Sequence, residues 1–233
     1  MSTIFRLDSS IRAVGSQSRA VASTLEDAVR EQVGQLDVIR RDVGVFPLPA
    51  TAWAFATQAL ALGVHSAPKA RGERTADETT AMALATDLAD EMLAADAYLF
   101  AVPLYNYGVS QHAKAWIDLL ITEPRFSVKV PSPIAGRPAY LVVARGGAYG
   151  PGTPREGWDH ATPWLRRIFE DVWGLNLTLI EVELTLADVN PEMASLRDLA
   201  AASLGQAHAA ARHAGEQLAK QWMASPAHAS TPA

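Results

Sequence analysis

AYLFAVPLYNYGVSQHAKAWID, residues 97–118, joins an apolar run to an amphipathic helix through a turn rich in aromatic residues. Its first six residues form a continuous apolar run, which predicts a strand that is buried on both faces of a sheet. The chain then turns through Pro103, two tyrosines, an asparagine and a glycine, and an amphipathic helix is predicted from about Ser110 to Ile121. Ligands of parallel sheets bind beyond the carboxyl ends of the strands, so this turn is a candidate ligand site.

Short apolar segments and longer helical patterns alternate along the rest of the chain. Further strands are predicted over residues 4–7, 36–41, 138–144 and 176–184. Further helices are predicted over residues 17–33, 53–62, 75–94, 162–174 and 191–223. We expect residues 126–136 to form a loop or a short hairpin. Five strands separated by helices predict an α/β fold with a doubly wound, five-stranded parallel sheet and helices on both faces.

Three of the predicted helices begin with a recognisable cap. Thr75 and Glu78 have the spacing of a capping box, in which each side chain accepts a hydrogen bond from the other's backbone N–H. Thr162-Pro163 and Asn190-Pro191 each match an N-cap followed by proline at the first helical position. No interdomain linker is visible, so we expect one domain over residues 1–224 and a disordered tail over residues 225–233.

The composition limits the classes of function. The chain has 233 residues, of which 49% are hydrophobic, enough for one large core. A formal net charge of −5 argues against nucleic acid or an anionic membrane as the partner, because no basic block could neutralise phosphates. Cysteine is absent, which excludes disulfides and thiolate chemistry. The N-terminal segment lacks the apolar core of a signal peptide, so we expect a cytoplasmic protein.

Serine residues cluster after the first strand, where the first helix begins. Ser9 and Ser10 follow the strand directly, and Ser16, Gln17 and Ser18 lie at the start of the helix. Hydroxyl groups and unpaired backbone N–H groups at a helix N-terminus favour an anion. Alternatively, Ser16 only caps the helix. The loop has neither the dinucleotide pattern G-x-G-x-x-G nor a P-loop, so it favours the phosphate of a mononucleotide.

Two further loops follow predicted strands at the same edge of the sheet. Tyr105 and Tyr107 offer flat rings and Asn106 offers an amide, a combination that suits a planar heterocycle. The alternative is that both tyrosines pack on the core. Gly146 and Gly147 follow the fourth strand and allow backbone amides to approach a flat ligand closely. The three loops together indicate a ligand site more strongly than any one of them alone.

In order and spacing, these loops resemble those of the flavodoxin-like FMN-dependent NADH:quinone oxidoreductases, often called azoreductases. The resemblance extends from about residue 4 to residue 183 and implies a flavodoxin-like fold and an FMN-binding homodimer. It implies two-electron transfer from NADH or NADPH to a planar acceptor, a quinone or an azo compound, with ping-pong kinetics. The residues that it implies around the ribityl phosphate are Ser10, Ser16, Gln17 and Ser18. Those that it implies around the isoalloxazine are Leu104, Tyr105, Asn106 and Tyr107, and those at its pyrimidine edge are Ala144, Arg145, Gly146 and Gly147.

The chain departs from the family pattern at three places. Phenylalanine is common in the family where Tyr107 stands, and serine is common where Ala144 stands. Residues 128–133 also differ, and in the family this segment lies on the substrate side of the flavin. We therefore expect residues 126–133 to set the acceptor preference. A specialised flavin reductase that acts on another planar conjugated substrate is one alternative that stays open.

No side chain is assigned a catalytic role, because the flavin carries out the chemistry and the protein positions it. His160 and Tyr149 could donate a proton or a hydrogen bond near the flavin, although a histidine at a helix entry is more often structural. The six histidines are scattered, so we predict no metal site. The six tryptophans exceed what a monomer core of this size usually needs, which also favours a dimer.

Two other classes of function stay open at the level of the sequence. A flavodoxin-type electron shuttle would bind FMN in the same fold but would lack an acceptor pocket. A non-enzymatic sensor that had kept the fold would bind no FMN.

Overall fold

A computed structural model describes residues 2–62 and 67–224 of the chain. Its central sheet contains five parallel strands in the order β2-β1-β3-β5-β6, and a short strand, β4, pairs antiparallel with β3. The strands are β1 (Ser2–Asp8), β2 (Leu36–Asp42), β3 (Ala97–Tyr105), β4 (Gly108–Val109), β5 (Pro138–Ala144) and β6 (Asn176–Val182). The predicted α/β fold with a doubly wound parallel sheet is confirmed.

Six α-helices surround the sheet within the described residues. They are α1 (Gln17–Val33), α2 (Ala52–Ala59), α3 (Ala76–Leu93), α4 (Gln111–Thr122), α5 (Thr162–Arg166) and α6 (Arg197–Ala224). Helices α1 and α6 pack on one face of the sheet, and α2 to α5 pack on the other. Among the described helices, none is both long and apolar enough to cross a membrane.

Strand β3 lies at the centre of the sheet and supplies the core on both faces. Eight of its nine residues are buried. The ring of Phe100 stacks on Phe169 with centroids 4.1 Å apart, and Phe5 stacks on Trp116 at 5.6 Å. Trp116 and Trp173 are fully buried in this cluster. Part of the tryptophan content that favoured a dimer therefore belongs to the core of a single chain.

The strand order reverses between β1 and β3, because β1 pairs with β2 on one side and with β3 on the other. The serine loop follows β1, and the aromatic turn follows β3. Parallel strands end at the same edge of a sheet, so the two loops diverge from neighbouring strands and leave a crevice between them. The fold therefore places the predicted site at the switch point of the sheet.

The local predictions are confirmed at several helix starts. Thr75 and Glu78 form the capping box, with hydrogen bonds of 3.1 Å and 2.9 Å. Asn190 accepts a hydrogen bond from the backbone N–H of Glu192 at 3.1 Å, but the turn that it caps, Pro191–Leu196, is a 3-10 helix, and α6 begins six residues later than predicted, at Arg197. Ser110 caps α4 by accepting from the N–H of Ala113.

Three local predictions are wrong. Strand β3 continues through Pro103 to Tyr105, because the β3–β4 hairpin extends its pairing. Thr162 is the first residue of α5 rather than its cap, and the Asp159 carboxylate accepts the N–H groups of Ala161 and Thr162 instead. The helix then continues as a π-helical turn over Arg167–Val172.

Other boundaries differ by smaller amounts. Helix α2 ends at Ala59, before Ala61 adopts a left-handed φ of 51°. Strand β6 ends at Val182, two residues earlier than predicted. Residues 126–136 form turns and a loop without a hairpin. The predicted disordered tail, residues 225–233, lies outside the described residues, as do His65 and His228.

Two glycines inside α6 provide a matched test of how closely this helix packs on α1. A β-carbon at Gly215 would lie 2.5 Å from the Leu25 carbonyl oxygen and 2.9 Å from the Ala28 β-carbon, whereas one at Gly205 would have no neighbour within 4 Å. We expect Gly215→Ala to lower the free energy of unfolding by about 1–3 kcal/mol, because the helices must separate. Gly205→Ala should raise it by up to about 1 kcal/mol through helix propensity. Urea unfolding measures both, and equal effects would contradict this description of the α1–α6 contact.

Candidate functional site

A cleft of about 230 Å³ opens where the loops after β1, β3 and β5 meet. Eight of the predicted site residues line it: Ser10, Ser16, Gln17, Ser18, Leu104, Tyr105, Ala144 and Gly146. Four others adjoin this lining without belonging to it: Asn106, Tyr107, Arg145 and Gly147. The tertiary structure therefore brings all three predicted loops to one place. The cleft is below the roughly 300–1,000 Å³ usual for a ligand pocket, so a ligand as large as FMN must extend beyond it.

The serine loop presents hydrogen-bond donors at the N-terminus of α1. Ser16 caps the helix by accepting from the N–H of Arg19 at 3.5 Å, and its hydroxyl lies 3.2 Å from that of Ser18. Within the described part of the chain, nothing accepts a hydrogen bond from the N–H groups of Gln17 and Ser18. Such N–H groups, together with the helix dipole, favour an anion. Ser16 thus serves as a cap and still borders an anion site.

Arg12 is a residue of this loop that the sequence analysis missed. It lines the cleft, it is exposed, and its guanidinium has no ion pair among the described residues. An arginine beside a helix N-terminus adds charge-assisted donors for a phosphate. Its place within a serine- and glycine-containing loop was a sequence signal that could have identified it. Thr185 and Leu186 also line the cleft, but they follow β6 and carried no such signal.

An ion pair fixes the backbone of Ser10 beneath the cleft. The two terminal nitrogens of Arg19 lie 2.6 Å and 2.7 Å from the Asp42 carboxylate, and Nη2 also donates to the Ser10 carbonyl oxygen at 2.8 Å. Asp42 in turn accepts the N–H groups of Gly44 and Val45. The end of β2, the start of α1 and the loop after β1 are thereby joined at one point.

Burial and hydrogen bonding shift the pKa values of Asp42 and Arg19. Burial alone would raise the pKa of Asp42, but hydrogen bonds from Arg19 and from the backbone of Val45 outweigh it and lower the pKa. The hydrogen bond to Asp42 raises the pKa of Arg19. Both groups are therefore charged at neutral pH, and the ion pair holds the loop in place without any ligand.

Gly44 is required for the close approach of this segment to Ser10. A β-carbon at Gly44 would fall far inside the contact distance of the Ser10 carbonyl oxygen, and it would also lie 2.9 Å from the Ser10 nitrogen. Only glycine therefore allows the residues after β2 to pass under the loop. No pattern in the sequence indicated this, because the two segments are 34 residues apart.

The hairpin after β3 carries the aromatic part of the site. The Tyr105 hydroxyl lies 3.3 Å from the Ser10 hydroxyl and accepts the N–H of Ile11 at 3.3 Å, so it joins two of the three loops. Tyr107 is 41% exposed, and its ring meets Trp158 edge-on at 5.4 Å and Tyr149 at 6.5 Å. The alternative that both tyrosines pack on the core is wrong, because neither is buried.

Asn106 and Tyr107 form the two-residue turn of this hairpin. Their φ angles are 48° and 65°, in the left-handed region. Left-handed backbone costs a residue such as tyrosine about 1–2 kcal/mol relative to the right-handed region. Strain of this kind clusters at functional sites. The turn therefore holds the Tyr107 ring at the mouth of the cleft at the expense of local stability.

The loop after β5 has its carbonyl groups bonded to the segment after β6 and its glycine N–H groups without an acceptor among the described residues. The carbonyl oxygens of Arg145, Gly146 and Gly147 accept N–H groups from residues 184–186 at 3.0–3.3 Å. In the described structure no group accepts from the N–H of Gly146 or Gly147. These two donors are therefore available to acceptor atoms at the edge of a flat ligand.

Both glycines also leave room for side chains from other segments. A β-carbon at Gly146 would lie 2.7 Å from Leu186 Cδ1, and one at Gly147 would lie 2.5 Å from Arg155 Nη1. From the sequence alone, the approach of a ligand was the one expected reason for the glycine pair. The structure adds the approach of Leu186 and Arg155 as a second cause.

The Arg145 side chain turns away from the cleft. It is buried and pairs with Asp159 at 2.7 Å, with Glu183 at 3.2 Å and with Glu181. Burial alone would raise the pKa of Asp159, but hydrogen bonds from Thr162 and the nearby Arg145 lower it. Arg145 thus joins β5, β6 and the start of α5, and only its backbone can border a ligand.

The other residues singled out in the sequence have modest roles here. The His160 N–H donates to the Tyr107 carbonyl oxygen at 2.9 Å, and its side chain is exposed. His208 lies 2.7 Å from the Thr24 hydroxyl, between α6 and α1. The described residues include no group of three or more histidine, aspartate or glutamate side chains placed to hold a metal ion.

Comparisons with known proteins agree on one family. The sequence profile of the family described as flavodoxin-like fold matches residues 2–203. The FMN-dependent NADH:quinone oxidoreductase of Frankia casuarinae is 37% identical over 214 residues, which cover 91% of this chain and 98% of that protein. The protein of the same name from Streptomyces avermitilis is 35% identical over 226 residues, covering 96% of this chain and all of that protein.

A solved structure shows the same fold at lower identity. The FMN-dependent NADH-azoreductase of Bacillus anthracis, determined in complex with FMN, superposes with a TM-score of 0.71. The match covers 94% of this chain and 100% of that one, at 16% identity. At this identity the likeness supports the fold alone.

Gly44 provides a test of the loop geometry. We expect Gly44→Ala to displace the Ser10 backbone and to weaken the binding of FMN at least tenfold, because the donors at the α1 N-terminus no longer converge. The control is Gly72→Ala, since a β-carbon at Gly72 would have no neighbour within 4 Å. Fluorescence titration with FMN, alongside circular dichroism to verify folding, measures both variants. Wild-type affinity in a folded Gly44→Ala protein would contradict the described contact.

Proposed function

The chain belongs to the family of flavodoxin-like FMN-dependent NADH:quinone oxidoreductases, and from this premise we propose that it transfers two electrons from a reduced nicotinamide to quinones through bound FMN. The observation that carries the proposal is the convergence of three loops on one cleft, with unpaired donors at both of its ends. Azo compounds are proposed as incidental acceptors of the same electrons. A cytoplasmic location stays a prediction from the sequence.

The phosphate of FMN would bind at the N-terminus of α1. The N–H groups of Gln17 and Ser18 and the hydroxyls of Ser10, Ser16 and Ser18 supply neutral donors there. The exposed guanidinium of Arg12 supplies positive charge. A phosphate dianion needs several donors at once, and charge-assisted hydrogen bonds are each worth about 1.5–3 kcal/mol. The loop therefore fits a phosphate monoester without any rearrangement of the Arg19–Asp42 ion pair.

The ring system would lie against the loops after β3 and β5. Leu104 and Tyr105 would offer apolar surface to the ring, and the N–H groups of Gly146 and Gly147, which have no acceptor in the described structure, would face its pyrimidine edge. Asn106 and Tyr107 stand at the outer end, on the strained turn. Preorganised N–H donors of this kind stabilise charge as it develops on a bound group. For Arg145 the proposal is limited to its backbone.

When bound, FMN supplies the redox chemistry of the overall reaction, in which NAD(P)H, a proton and a quinone become NAD(P)⁺ and a hydroquinone. The protein's residues hold the flavin and shape the space beside it. Tyr107 and Trp158, with exposures of 41% and 50%, border that space with flat apolar surface. Donor and acceptor would occupy it in turn, which gives ping-pong kinetics. No side chain is required as an acid or a nucleophile.

The aromatic surface also favours a reductase over an electron shuttle. A shuttle exchanges electrons with protein partners and needs no place for a small planar acceptor. Here Tyr107, Tyr149 and Trp158 meet edge-on beside the cleft, and two of the three are exposed. Large apolar side chains left open beside a ligand site are typical of a binding surface. This arrangement supports a slot for a conjugated acceptor.

Anaerobic stopped-flow spectroscopy tests the proposed reaction. The purified protein, saturated with FMN, should lose its flavin absorbance on mixing with NADH or NADPH and regain it on mixing with a benzoquinone or naphthoquinone. Double-reciprocal plots of the initial rate should give parallel lines when both substrates are varied, because the two half-reactions are separate. A flavin that neither nicotinamide reduces, or one that stops at a stable one-electron state, would favour the shuttle instead.

We also infer that the active form is a homodimer. A groove of about 460 Å³ runs between α2 and α4 and is lined by Trp53, Thr57, Leu62, Asp118, Ile121 and Thr122. Trp53 is 52% exposed and Leu62 is 49% exposed, although both are large and apolar. Two-fold dimers are the commonest oligomers, and such a surface suits a second copy of the chain. The small size of the FMN cleft supports the same inference.

Substitution of Trp53 tests the dimer. We expect Trp53→Glu to give a 25.0 kDa species by light scattering at micromolar concentration, where the wild-type chain gives twice that mass. The charge would have to be buried without a partner in the interface, which is costly. Leu199→Glu is the control, because Leu199 is 60% exposed at the start of α6, on the other face of the sheet. A wild-type monomer that retains full activity would contradict the dimer.

A further inference from the structure

Arg155 is a cation of the candidate site that the proposed reaction leaves without a role. Its Nη1 lies 2.5 Å from the point where a β-carbon of Gly147 would stand, and its Cζ lies 5.9 Å from the centre of the Tyr149 ring. The side chain is half-buried. It therefore rests on the loop after β5, between the glycine pair and the aromatic residues at the mouth of the cleft.

The charge of Arg155 is not neutralised locally. In the described part of the chain it has no ion pair, whereas the neighbouring carboxylates are engaged elsewhere. Asp159 and Glu183 pair with Arg145, and Glu156 accepts the N–H of Gly152 at 2.8 Å. A half-buried guanidinium held against an aromatic ring and a backbone, without a counter-ion, is suited to a negative charge that arrives with a ligand.

We infer that Arg155 stabilises the negative charge that the flavin acquires on reduction and so raises its reduction potential. The inference rests on the proposed function, since it needs FMN in the cleft with its pyrimidine edge on Gly146 and Gly147. A hydride brings two electrons and one proton, so the reduced ring carries one more negative charge, at N1 and the C2 carbonyl. The N–H groups of Gly146 and Gly147 have no acceptor in the described structure, and the Arg155 guanidinium lies against Gly147, so both would reach that edge of a ring seated on the glycine pair. Charge at this edge is one of the means by which a protein tunes a flavin.

The geometry separates Arg155 from the cation at the other end of the cleft. Arg12 lies in the serine loop and would act on the phosphate, whose charge is the same in the oxidised and reduced states. Arg155 would act on the ring, whose charge changes. Loss of Arg12 should therefore weaken the binding of oxidised and reduced FMN alike, whereas loss of Arg155 should weaken mainly the binding of reduced FMN.

The experiment compares Arg155→Gln, Arg155→Lys and Arg12→Gln, with Arg166→Gln as control. Arg166 is an exposed arginine of α5 that pairs with Glu170 one helical turn away. Two quantities are measured for each protein: the Kd for oxidised FMN by fluorescence, and the midpoint potential of the bound flavin by equilibration with a reference dye. Together these give the Kd for reduced FMN, independently of any turnover measurement.

We expect Arg155→Gln to leave the affinity for oxidised FMN little changed and to raise the Kd for reduced FMN at least tenfold. A tenfold change corresponds to a midpoint potential about 30 mV more negative. Arg155→Lys should retain most of the potential because it keeps the charge. Arg12→Gln should raise both dissociation constants without moving the potential, and Arg166→Gln should change neither. A wild-type potential in Arg155→Gln would overturn the inference.

Gly147→Ala provides a second way to remove the Arg155 guanidinium from its place beside the glycine pair. Its β-carbon would collide with the flexible end of Arg155, which can move, so the chain should still fold. The potential should shift in the same direction as in Arg155→Gln, and the double variant should show no further shift, because both changes remove one interaction. Additive shifts would overturn the assignment to the guanidinium.

The outcomes distinguish this inference from the proposed function. A wild-type protein that takes up no FMN, or whose flavin no nicotinamide reduces, would refute the proposed function and the inference with it. Normal reduction with an unchanged potential in Arg155→Gln would refute the inference alone. If that variant instead showed only a higher KM for a sulfonated naphthoquinone, Arg155 would bind the acceptor, and its proposed action on the flavin would be wrong.

Discussion

Pairing of the central strand β3 with both of its neighbours holds the candidate site together. The strand pairs with β1 on one side and with β5 on the other, and eight of its nine residues are buried. Because all three strands are parallel, their carboxyl ends meet at one edge of the sheet. Three loops that are distant in sequence are thereby held within reach of a single small molecule. Any shift of register in β3 would separate them.

Charged side chains, rather than apolar packing, fix the loops at this edge. Arg19 and Asp42 hold the loop after β1, and Arg145 with Asp159 holds the loop after β5. Each pair is partly or largely buried, and breaking a buried pair by removal of one partner is strongly destabilising. The backbone of the site is consequently formed in the free protein. A ligand would meet donors that are already in position, which lowers the cost of ordering on binding.

The remaining cations differ in kind from these structural ones. Arg12 and Arg155 have no ion pair among the described residues; Arg12 lines the cleft at the serine loop, and Arg155 lies against Gly147 in the loop after β5. Arg19 and Arg145, which have acidic partners, thus hold the loops in place. Arg12 and Arg155, which have no such partner among the described residues, are available to a ligand. Beside them, the strained turn at Tyr107 and the exposed Trp158 shape an open apolar surface. The site thus combines polar loops held by ion pairs with an exposed aromatic surface.

Most elements and their order could be predicted without the structure. Apolar runs and helical periodicity predicted the five parallel strands and the first four helices to within three residues, because burial on one or both faces imposes a period on the sequence itself. Caps with local partners, such as Thr75 with Glu78, were predicted for the same reason. The short strand β4, the π-helical turn after α5 and the 3-10 helix before α6 were not predicted. Six residues of the cleft lining could be named from loops at strand ends, and the family resemblance added Leu104 and Ala144. The family resemblance supplied their ligand.

The approach of distant segments to each other at the site could not be predicted from the sequence. Gly44 beneath Ser10 and Arg155 above Gly147 depend on contacts between loops that no local pattern encodes. Arg145 was expected to line the ligand, but its side chain pairs instead with Asp159 before α5, with Glu181 on β6 and with Glu183 after it. Thr162 was predicted to cap α5, but Asp159, in the turn before this helix, accepts its first N–H groups instead. Local sequence fixes which backbone states are favourable, whereas close approach and charge pairing are settled only when the chain has folded, because both depend on distances through space.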